Sequence, residues 1–215
     1  METVPENQKL LKQGLETMGI NLSPEQQTRL LDYLALMRKW NKAYNLTAVT
    51  DPEQMVIRHL LDSLSILPFI GESPVLDVGS GAGLPGIPLA IALPQHTFIL
   101  LDSNGKKTRF LTQARIDLGL KNVEVVHSRI EDFQPKQAIA IVTCRAFAAL
   151  DAILDSTRHL VTSTTRILAM KAKQEATELP AGYEQVASHQ LDVAFLDEPR
   201  CLIEIKRVGS ESSHL

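Results

Sequence analysis

The chain has 215 residues, 44% of them hydrophobic and 22% charged, which is enough to bury the core of one large domain or of one domain with an appendage. A formal net charge of −3 does not indicate a strongly basic nucleic-acid-binding protein, so a nucleic-acid partner would have to meet a local basic patch. The N-terminal residues lack the pattern of a signal peptide, and no apolar run reaches the roughly 18–20 residues of a membrane span. Two cysteines, Cys144 and Cys201, are too few for a structural zinc site. We therefore expect a soluble cytoplasmic protein that is a monomer and has buried thiols, no metal and no membrane contact.

Residues 1–70 have the pattern of a helical extension. The stretches SPEQ at residues 23–26 and DPEQ at residues 51–54 each combine a capping side chain, a proline at the first helical position and a glutamine three residues after the cap. Apolar residues recur at helical spacing after both, and a further short helix is expected before residue 23. We expect this extension to pack on a core domain of residues 71–208, with a frayed tail at residues 209–215.

From Pro74 the pattern changes to alternating strands and helices. Five short apolar runs, PVLDV, TFILL, VEVV, AIVT and TRILAM, suit buried parallel strands, and helical stretches lie between them. Two late runs, YEQVASHQLDV and CLIEIKRV, follow each other without a long helix and predict an antiparallel pair. The fold class is therefore α/β, a doubly wound Rossmann-like sheet, in which ligands bind beyond the carboxyl ends of the strands.

The stretch DVGSGAGLPGIPLA at residues 77–90 follows the first predicted strand. Gly81, Gly83 and Gly86 satisfy the G-x-G-x-x-G pattern, and Asp102 follows at the spacing of a ribose-binding acid. A tight turn without a ligand, with Asp102 as a helix cap, is the structural alternative. So many glycines in one turn favour a ligand.

Residues around the glycines distinguish two classes of cofactor. A dinucleotide needs free N–H groups at the start of the helix, but Pro85 and Pro88 remove donors there, and Asp77 adds negative charge. S-adenosylmethionine has no phosphate, and Asp77 would attract its cationic end directly or hold the loop in place. We therefore predict S-adenosylmethionine, with an NAD-dependent oxidoreductase as the alternative.

The third predicted strand is followed by residues that would border an adenine ring. Ile130 is a candidate apolar wall, and Glu131 or Asp132 would meet the amino edge of the base. Arg129 belongs to the same segment. A solvated loop of charges explains these residues equally well.

Two basic residues follow the fourth and fifth predicted strands. Arg145 lies where a methyl acceptor would approach, although an arginine at a strand end also commonly pairs with a structural acid. Lys171 ends the run TRILAM and should lie on the same edge of the sheet.

Basic residues also cluster in sequence near these loops, where they would meet RNA phosphates. They are Arg38, Lys39, Lys42, Arg58, His59, Lys106, Lys107 and Arg109. Trp40 or Tyr44 would stack on bases. Taken singly, solvated helix charges and a packing role for Trp40 are the simpler interpretations.

Several motifs together closely resemble the bacterial small-subunit ribosomal RNA guanine-N7 methyltransferases. They are WNKAYNLTA, RHLLDSL, LDVGSGAGLPGIPLA, LLDSNGKKTRFL, EVVHSRIEDF, RAFA and AMK, and the match runs from about residue 35 to residue 171. The resemblance implies methyl transfer from S-adenosylmethionine to N7 of guanine 527 in the 530 loop of 16S ribosomal RNA. Cys144 and Ala172 depart from the family's usual serine and glycine, as TSTT does from its usual Pro-Gly-Gly turn.

The resemblance also implies roles for individual residues, which we combine with those read from the loops. Cofactor binding falls on Gly79, Gly81, Leu84, Asp102, Ile130, Glu131 and Arg145. Substrate positioning falls on His59, Arg145 and Lys171, and RNA binding on Asn45, Arg58, Lys106, Lys107 and Arg129. Guanine N7 carries a lone pair and no proton, so no general base is expected. A non-catalytic module that binds an adenosine ligand and RNA is the third interpretation.

Overall fold

The computed structural model describes residues 3–145, 150–172 and 179–208. The tail at residues 209–215, which we expect to be frayed, lies outside the described residues. Within the described residues, no helix combines the length and the apolar character that crossing a membrane requires.

The described residues form one sheet of seven strands in the order β3-β2-β1-β4-β5-β7-β6. The strands are β1 Val75–Val78, β2 Phe98–Asp102, β3 Val123–His127, β4 Ile141–Arg145, β5 Arg166–Lys171, β6 Tyr183–Leu191 and β7 Arg200–Arg207. The first five are parallel, whereas β7 runs antiparallel to both β5 and β6. The predicted doubly wound α/β sheet with a C-terminal antiparallel pair is confirmed.

Helices precede the sheet and alternate with its strands. They are α1 Thr3–Thr17, α2 Pro24–Tyr44, α3 Pro52–Met55, α4 Asp62–Leu64, α5 Gly86–Ala92, α6 Gly105–Asp117 and α7 Leu150–Thr157. Single 3-10 turns lie at Leu67–Phe69 and Ile130–Asp132. The predicted capping box at the start of α2 is present, because the Ser23 hydroxyl accepts from the Gln26 N–H while the Gln26 side chain accepts from the Ser23 N–H.

The segment from α3 to α4 differs from the single regular helix that its sequence predicts. A π-helical turn, Val56–Leu61, lies between α3 and α4, and the Asp62 N–H donates to the Ile57 carbonyl five residues earlier. This five-residue step replaces the usual four-residue step of an α-helix, and the local periodicity of the sequence does not reveal it.

Alternate residues of the strands pack into two cores, one on each face of the sheet. On one face Phe98 and Leu100 pack with the helical extension, including Leu30 and Met37 of α2. On the other face Ile99 and Leu101 belong to the second core, which also contains Cys144 and Cys201, both buried and free as expected. The extension therefore shares a core with the sheet, and the division after residue 70 stays a prediction.

Gln26 also joins α2 to the end of α5. Its Nε2 donates to the carbonyl oxygens of Ile91 at 3.0 Å and Ala92 at 2.9 Å, two groups that the end of the helix leaves without N–H partners. Because α5 follows the glycine-rich loop directly, this contact anchors the helix that carries the loop.

We expect Gln26→Glu to destabilise the fold by about 1–3 kcal/mol, because a carboxylate would face two carbonyl oxygens that lose their donor. Urea unfolding measures the change. Glu25→Gln is the matched control on the same exposed turn and should change stability by less than about 0.5 kcal/mol. Equal effects of the two substitutions would show that the contact with α5 is unimportant.

Candidate functional site

The loops that follow β1, β2, β3 and β4 meet at one edge of the sheet. β1 lies between β2 and β4, so the direction in which successive strands are added reverses beside it. In a doubly wound sheet, this reversal opens a crevice at the carboxyl ends of the strands. The residues predicted to bind the cofactor all lie at or shortly after these four strand ends: Gly79, Gly81, Leu84, Asp102, Ile130, Glu131 and Arg145.

The glycine-rich loop after β1 has two functionally different parts. Gly79 has φ +66° and is exposed, and a Cβ built on it meets no atom within 4 Å. Gly83 and Gly86 instead allow close packing, because a Cβ there would collide with Ile87 Cδ1 and with Leu100 Cδ2, respectively. Gly79 therefore borders open space at the strand end, while the later glycines fit the loop and α5 against the core.

Asp77 binds this loop from its buried side. Its carboxylate is 1% exposed, and Oδ2 accepts from the Gly86 N–H at 3.1 Å. Burial raises the pKa of the Asp77 carboxyl to about 7, although hydrogen bonds from Ser80 and Gly86 and the charge of Arg145 oppose the rise. Its Oδ1 is buried and has no hydrogen-bond partner among the described residues. Of the two roles expected for Asp77, holding the loop is the one that these contacts display.

Asp102 and Tyr33 hold the same loop from the sides. Asp102 accepts from the Gly81 N–H and the Asn104 N–H, both at 2.8 Å, and is 6% exposed. Each carboxylate oxygen retains a second lone pair, so the ribose contact stays a prediction. The fully buried Tyr33 of α2 donates its hydroxyl to the Ala82 carbonyl at 2.6 Å. Sequence reasoning missed Tyr33, which carries no signal beyond its place in an amphipathic helix.

Arg145, at the end of β4, pairs with a buried acid that was not among the predicted site residues. Its Nη2 lies 2.9 Å from Asp62 Oδ2, and Arg200 Nε lies 3.2 Å from Asp62 Oδ1. Arg145 Nη2 also donates to the carbonyl of Arg58, a residue of the π turn, at 3.5 Å. Burial raises the pKa of the Asp62 carboxyl, and the charges of Arg145 and Arg200 oppose that rise. The only sequence signal for Asp62 was an acid among the leucine residues of RHLLDSL.

His59 lies on the π turn and is 5% exposed. Its Nε2 lies 3.0 Å from the Thr47 hydroxyl, and Asn41 in turn binds the Thr47 backbone through both its amide nitrogen and its oxygen. Burial, assisted by the charges of Arg145 and Arg58, lowers the pKa of His59 to about 4, so the ring is neutral at pH 7. These contacts join the residue 45–50 link to the π turn, and a substrate contact for His59 stays a prediction.

The predicted RNA-binding residues have varied surroundings. Arg58 is bound by Gln54 and by Glu198, whose Oε1 lies 2.6 Å from Arg58 Nη2. Asn45 is exposed and ends α2 in the left-handed conformation at φ 50°, a structural role that asparagine commonly fills. The other three predicted RNA-binding residues lie on the side of the sheet that carries the glycine loop. Lys106 and Lys107 are in the first turn of α6, and Arg129 precedes the 3-10 turn.

The other predicted residues are placed as follows. Leu84 and Ile130 are half-buried, Glu131 is exposed, and Lys171 is the half-buried last residue of β5. Trp40 packs against Tyr44 and Phe110 with ring centroids 4.9 and 5.9 Å apart, which favours the packing interpretation. Among residues 3–145, 150–172 and 179–208, no three potential metal ligands of the His, Cys, Asp or Glu type come together.

Solved methyltransferase structures share this arrangement. The mitomycin 7-O-methyltransferase MmcR aligns over 86% of this chain and 69% of its own, with a TM-score of 0.58 and 13% identity. TrmK from M. capricolum, solved with S-adenosylhomocysteine, aligns over 67% of each chain, with a TM-score of 0.51 and 17% identity. At these identities the likeness shows the fold alone, which is the Rossmann-like methyltransferase fold.

Sequence comparison identifies the family. The model described as rRNA small subunit methyltransferase G matches residues 26–202. The ribosomal RNA small subunit methyltransferase G of Stutzerimonas stutzeri (strain A1501) is 53% identical over 204 residues, which cover 93% of this chain and 95% of that protein. The chain belongs to the rRNA small subunit methyltransferase G family. The predicted resemblance is confirmed and extends beyond residues 35–171, and the oxidoreductase alternative is not favoured.

The raised pKa of Asp77 predicts a pH dependence of stability. Unfolded aspartate ionises near 3.8 and folded Asp77 near 7, so between these values the folded state holds an extra proton. Stability from this group is therefore present at low pH and is lost as the pH rises from about 4 to about 7, by at most about 4 kcal/mol. Above that window its effect is constant.

Urea unfolding of the wild type and of Asp77→Asn at a series of pH values tests this prediction, because the amide does not titrate. We expect the wild type to lose stability relative to Asp77→Asn as the pH rises through the window. A difference between the two proteins that stays constant with pH would contradict the raised pKa.

Proposed function

We propose that the protein transfers a methyl group from S-adenosylmethionine to N7 of guanine 527 in 16S ribosomal RNA, in the cytoplasm and as a monomer. The observation that carries the proposal is the glycine loop at the switch point of a methyltransferase fold, in a chain of the rRNA small subunit methyltransferase G family. The ribosomal RNA substrate of this family supports the proposal that the protein acts in the cytoplasm.

The residues at the strand ends fit this cofactor. Open space above Gly79 would accept it against the backbone, whereas any side chain at this position would fill that space. Asp77 holds the loop and Asp102 would accept from the ribose hydroxyls, while Ile130 and Glu131 would border the adenine. When bound, S-adenosylmethionine supplies an electrophilic methyl group on a sulfonium.

The protein's part in the reaction is to bind and orient. Guanine N7 has a lone pair and no proton, so no side chain has to remove one. Holding reactants in line contributes on the order of 7–11 kcal/mol to catalysis. Arg145 must leave N7 free, because a donor there would occupy the nucleophilic lone pair. It would therefore bind O6, a phosphate or the cofactor.

RNA binding would rely on basic residues near the loop edge, since the net charge of the chain is −3. Lys106 and Arg129 are exposed, and Lys107 and Arg58 are partly exposed. Such residues bind phosphates and position the RNA without reading its sequence.

A methyl-transfer assay tests the function. Labelled S-adenosylmethionine is supplied with the protein and with small ribosomal subunits from a strain that lacks this modification, and the modified base is mapped. We expect label at N7 of one guanine of the 530 loop. Cofactor binding without any transfer would support the non-catalytic interpretation and overturn the proposal.

We expect Gly79→Val to abolish S-adenosylmethionine binding, because its side chain would fill the space that the cofactor needs. Isothermal calorimetry measures the affinity. Gly119→Val is the matched control, since Gly119 has φ +64° and equally open surroundings but lies at the far end of α6. It reproduces the backbone strain and should leave binding unchanged. Unchanged affinity in folded Gly79→Val would refute the assignment.

We expect Lys106→Glu combined with Lys107→Glu to weaken RNA binding and to leave cofactor affinity unchanged. The slope of log affinity against log salt should become shallower by about 2, because two phosphate contacts are lost. Lys9→Glu with Lys12→Glu makes the same change in net charge on α1 and serves as the control. Equal losses of RNA affinity in both double variants would show that Lys106 and Lys107 do not form an RNA-binding patch.

A further inference from the structure

Asp62 connects three segments that are distant in the chain. It is the first residue of α4, Arg145 is the last residue of β4, and Arg200 is the first residue of β7. Each arginine binds a different carboxylate oxygen, at 2.9 Å for Arg145 and 3.2 Å for Arg200. The helical extension therefore supplies a charged group to the edge of the sheet that carries the glycine loop.

The pairing restricts the position of Arg145. The Asp62 side chain is 2% exposed, and those of Arg145 and Arg200 are 19% and 15% exposed, so the three groups have little contact with water. A carboxylate buried in this way must remain paired. Arg145 Nη2 also donates to the carbonyl of Arg58, which lies on the π turn. Two acceptors on the extension thus hold one nitrogen of a guanidinium that has five N–H donors.

The second arginine and the loop before it complete this attachment. Arg200 follows the β6–β7 connection, and Glu198 of that connection binds Arg58 Nη2 at 2.6 Å. Since β7 is antiparallel to β5, its first residues lie beside the end of β5, where Lys171 pairs in register with Cys201. The connection is thereby held at the same edge as Arg145.

From this geometry we propose that Asp62 is a positioning residue for methyl transfer, which holds the guanidinium of Arg145 at the substrate edge while Arg200 holds the other oxygen of Asp62. The inference rests on the proposed function. It makes the helical extension part of the reaction site, because Asp62 and the Arg58 carbonyl both belong to it.

Separate measurements of kcat and KM distinguish a loss of positioning from an effect of net charge alone. Asp62→Asn makes the protein more positive by one charge, so an effect on charge alone would strengthen RNA binding and lower KM. Loss of positioning should instead lower kcat by about tenfold to a hundredfold, since small displacements of a substrate-positioning group have effects of this size. The RNA substrate is the small ribosomal subunit of the methyl-transfer assay.

Glu204→Gln is the matched control. Glu204 accepts from Arg166 at 2.7 Å, with side chains 12% and 21% exposed, so it is a comparably buried pair on β5 and β7. Arg166 begins β5, so the pair lies at the edge opposite to the glycine loop. The substitution makes the same change in charge. We expect it to lower the melting temperature as Asp62→Asn does and to leave kcat unchanged.

A double-mutant cycle identifies the residue through which Asp62 acts. Arg145→Ala should lower kcat, and adding Asp62→Asn to it should cause no further loss, because the group to be positioned is already absent. If Asp62→Asn does not fold, Asp62→Glu keeps the charge and displaces the carboxylate. It should still lower kcat at least about threefold, by the same misplacement of Arg145.

The outcomes are distinct. Wild-type kcat in folded Asp62→Asn or Asp62→Glu, or losses that multiply in the double variant, would overturn the role of Asp62. An equal loss of kcat in Glu204→Gln would also overturn it, as a general effect of stability. A wild-type protein that transfers no methyl group to the subunit would instead count against the proposed function.

Discussion

The buried carboxylate of Asp62 is the constraint on which the arrangement of this protein depends. A carboxylate that is almost fully enclosed needs compensating charge, and Arg145 and Arg200 provide it from β4 and β7. Because the two arginines bind different oxygens, α4, the parallel part of the sheet and its antiparallel end have to meet at one place. The helical extension is therefore tied to the sheet by charge as well as by its apolar core.

A second set of contacts holds the glycine loop through side chains of three different elements. Asp77, Asp102 and Tyr33 belong to β1, β2 and α2, and each binds a different backbone group of the loop. The exposed Gly79 borders open space within this frame. A loop fixed from three sides keeps that space without further ordering when it binds a ligand, which lowers the entropic cost of binding.

Much of this protein follows from local sequence patterns. The strands, the capping of α2, the glycine loop and the acids at the strand ends were predictable, because periodicity, capping and turn chemistry act over a few residues. Partners distant in the chain were not predictable. Tyr33 binds a residue 49 positions away, and Asp62 binds residues 83 and 138 positions away, so a single sequence contains no local sign of either pairing.

The sequence by itself determined the fold class, the loop that suits a cationic cofactor over a pyrophosphate, and the resemblance to a family that the comparisons confirmed. The tertiary structure decided what the charged residues contact. Arg145, predicted at the reaction edge, proved to be paired with Asp62, and Asp77 proved to support the loop from within the core. The reason is that burial determines how strongly two charged groups interact and whether a charged group must be paired. Burial itself is a property of the folded chain and not of a local sequence.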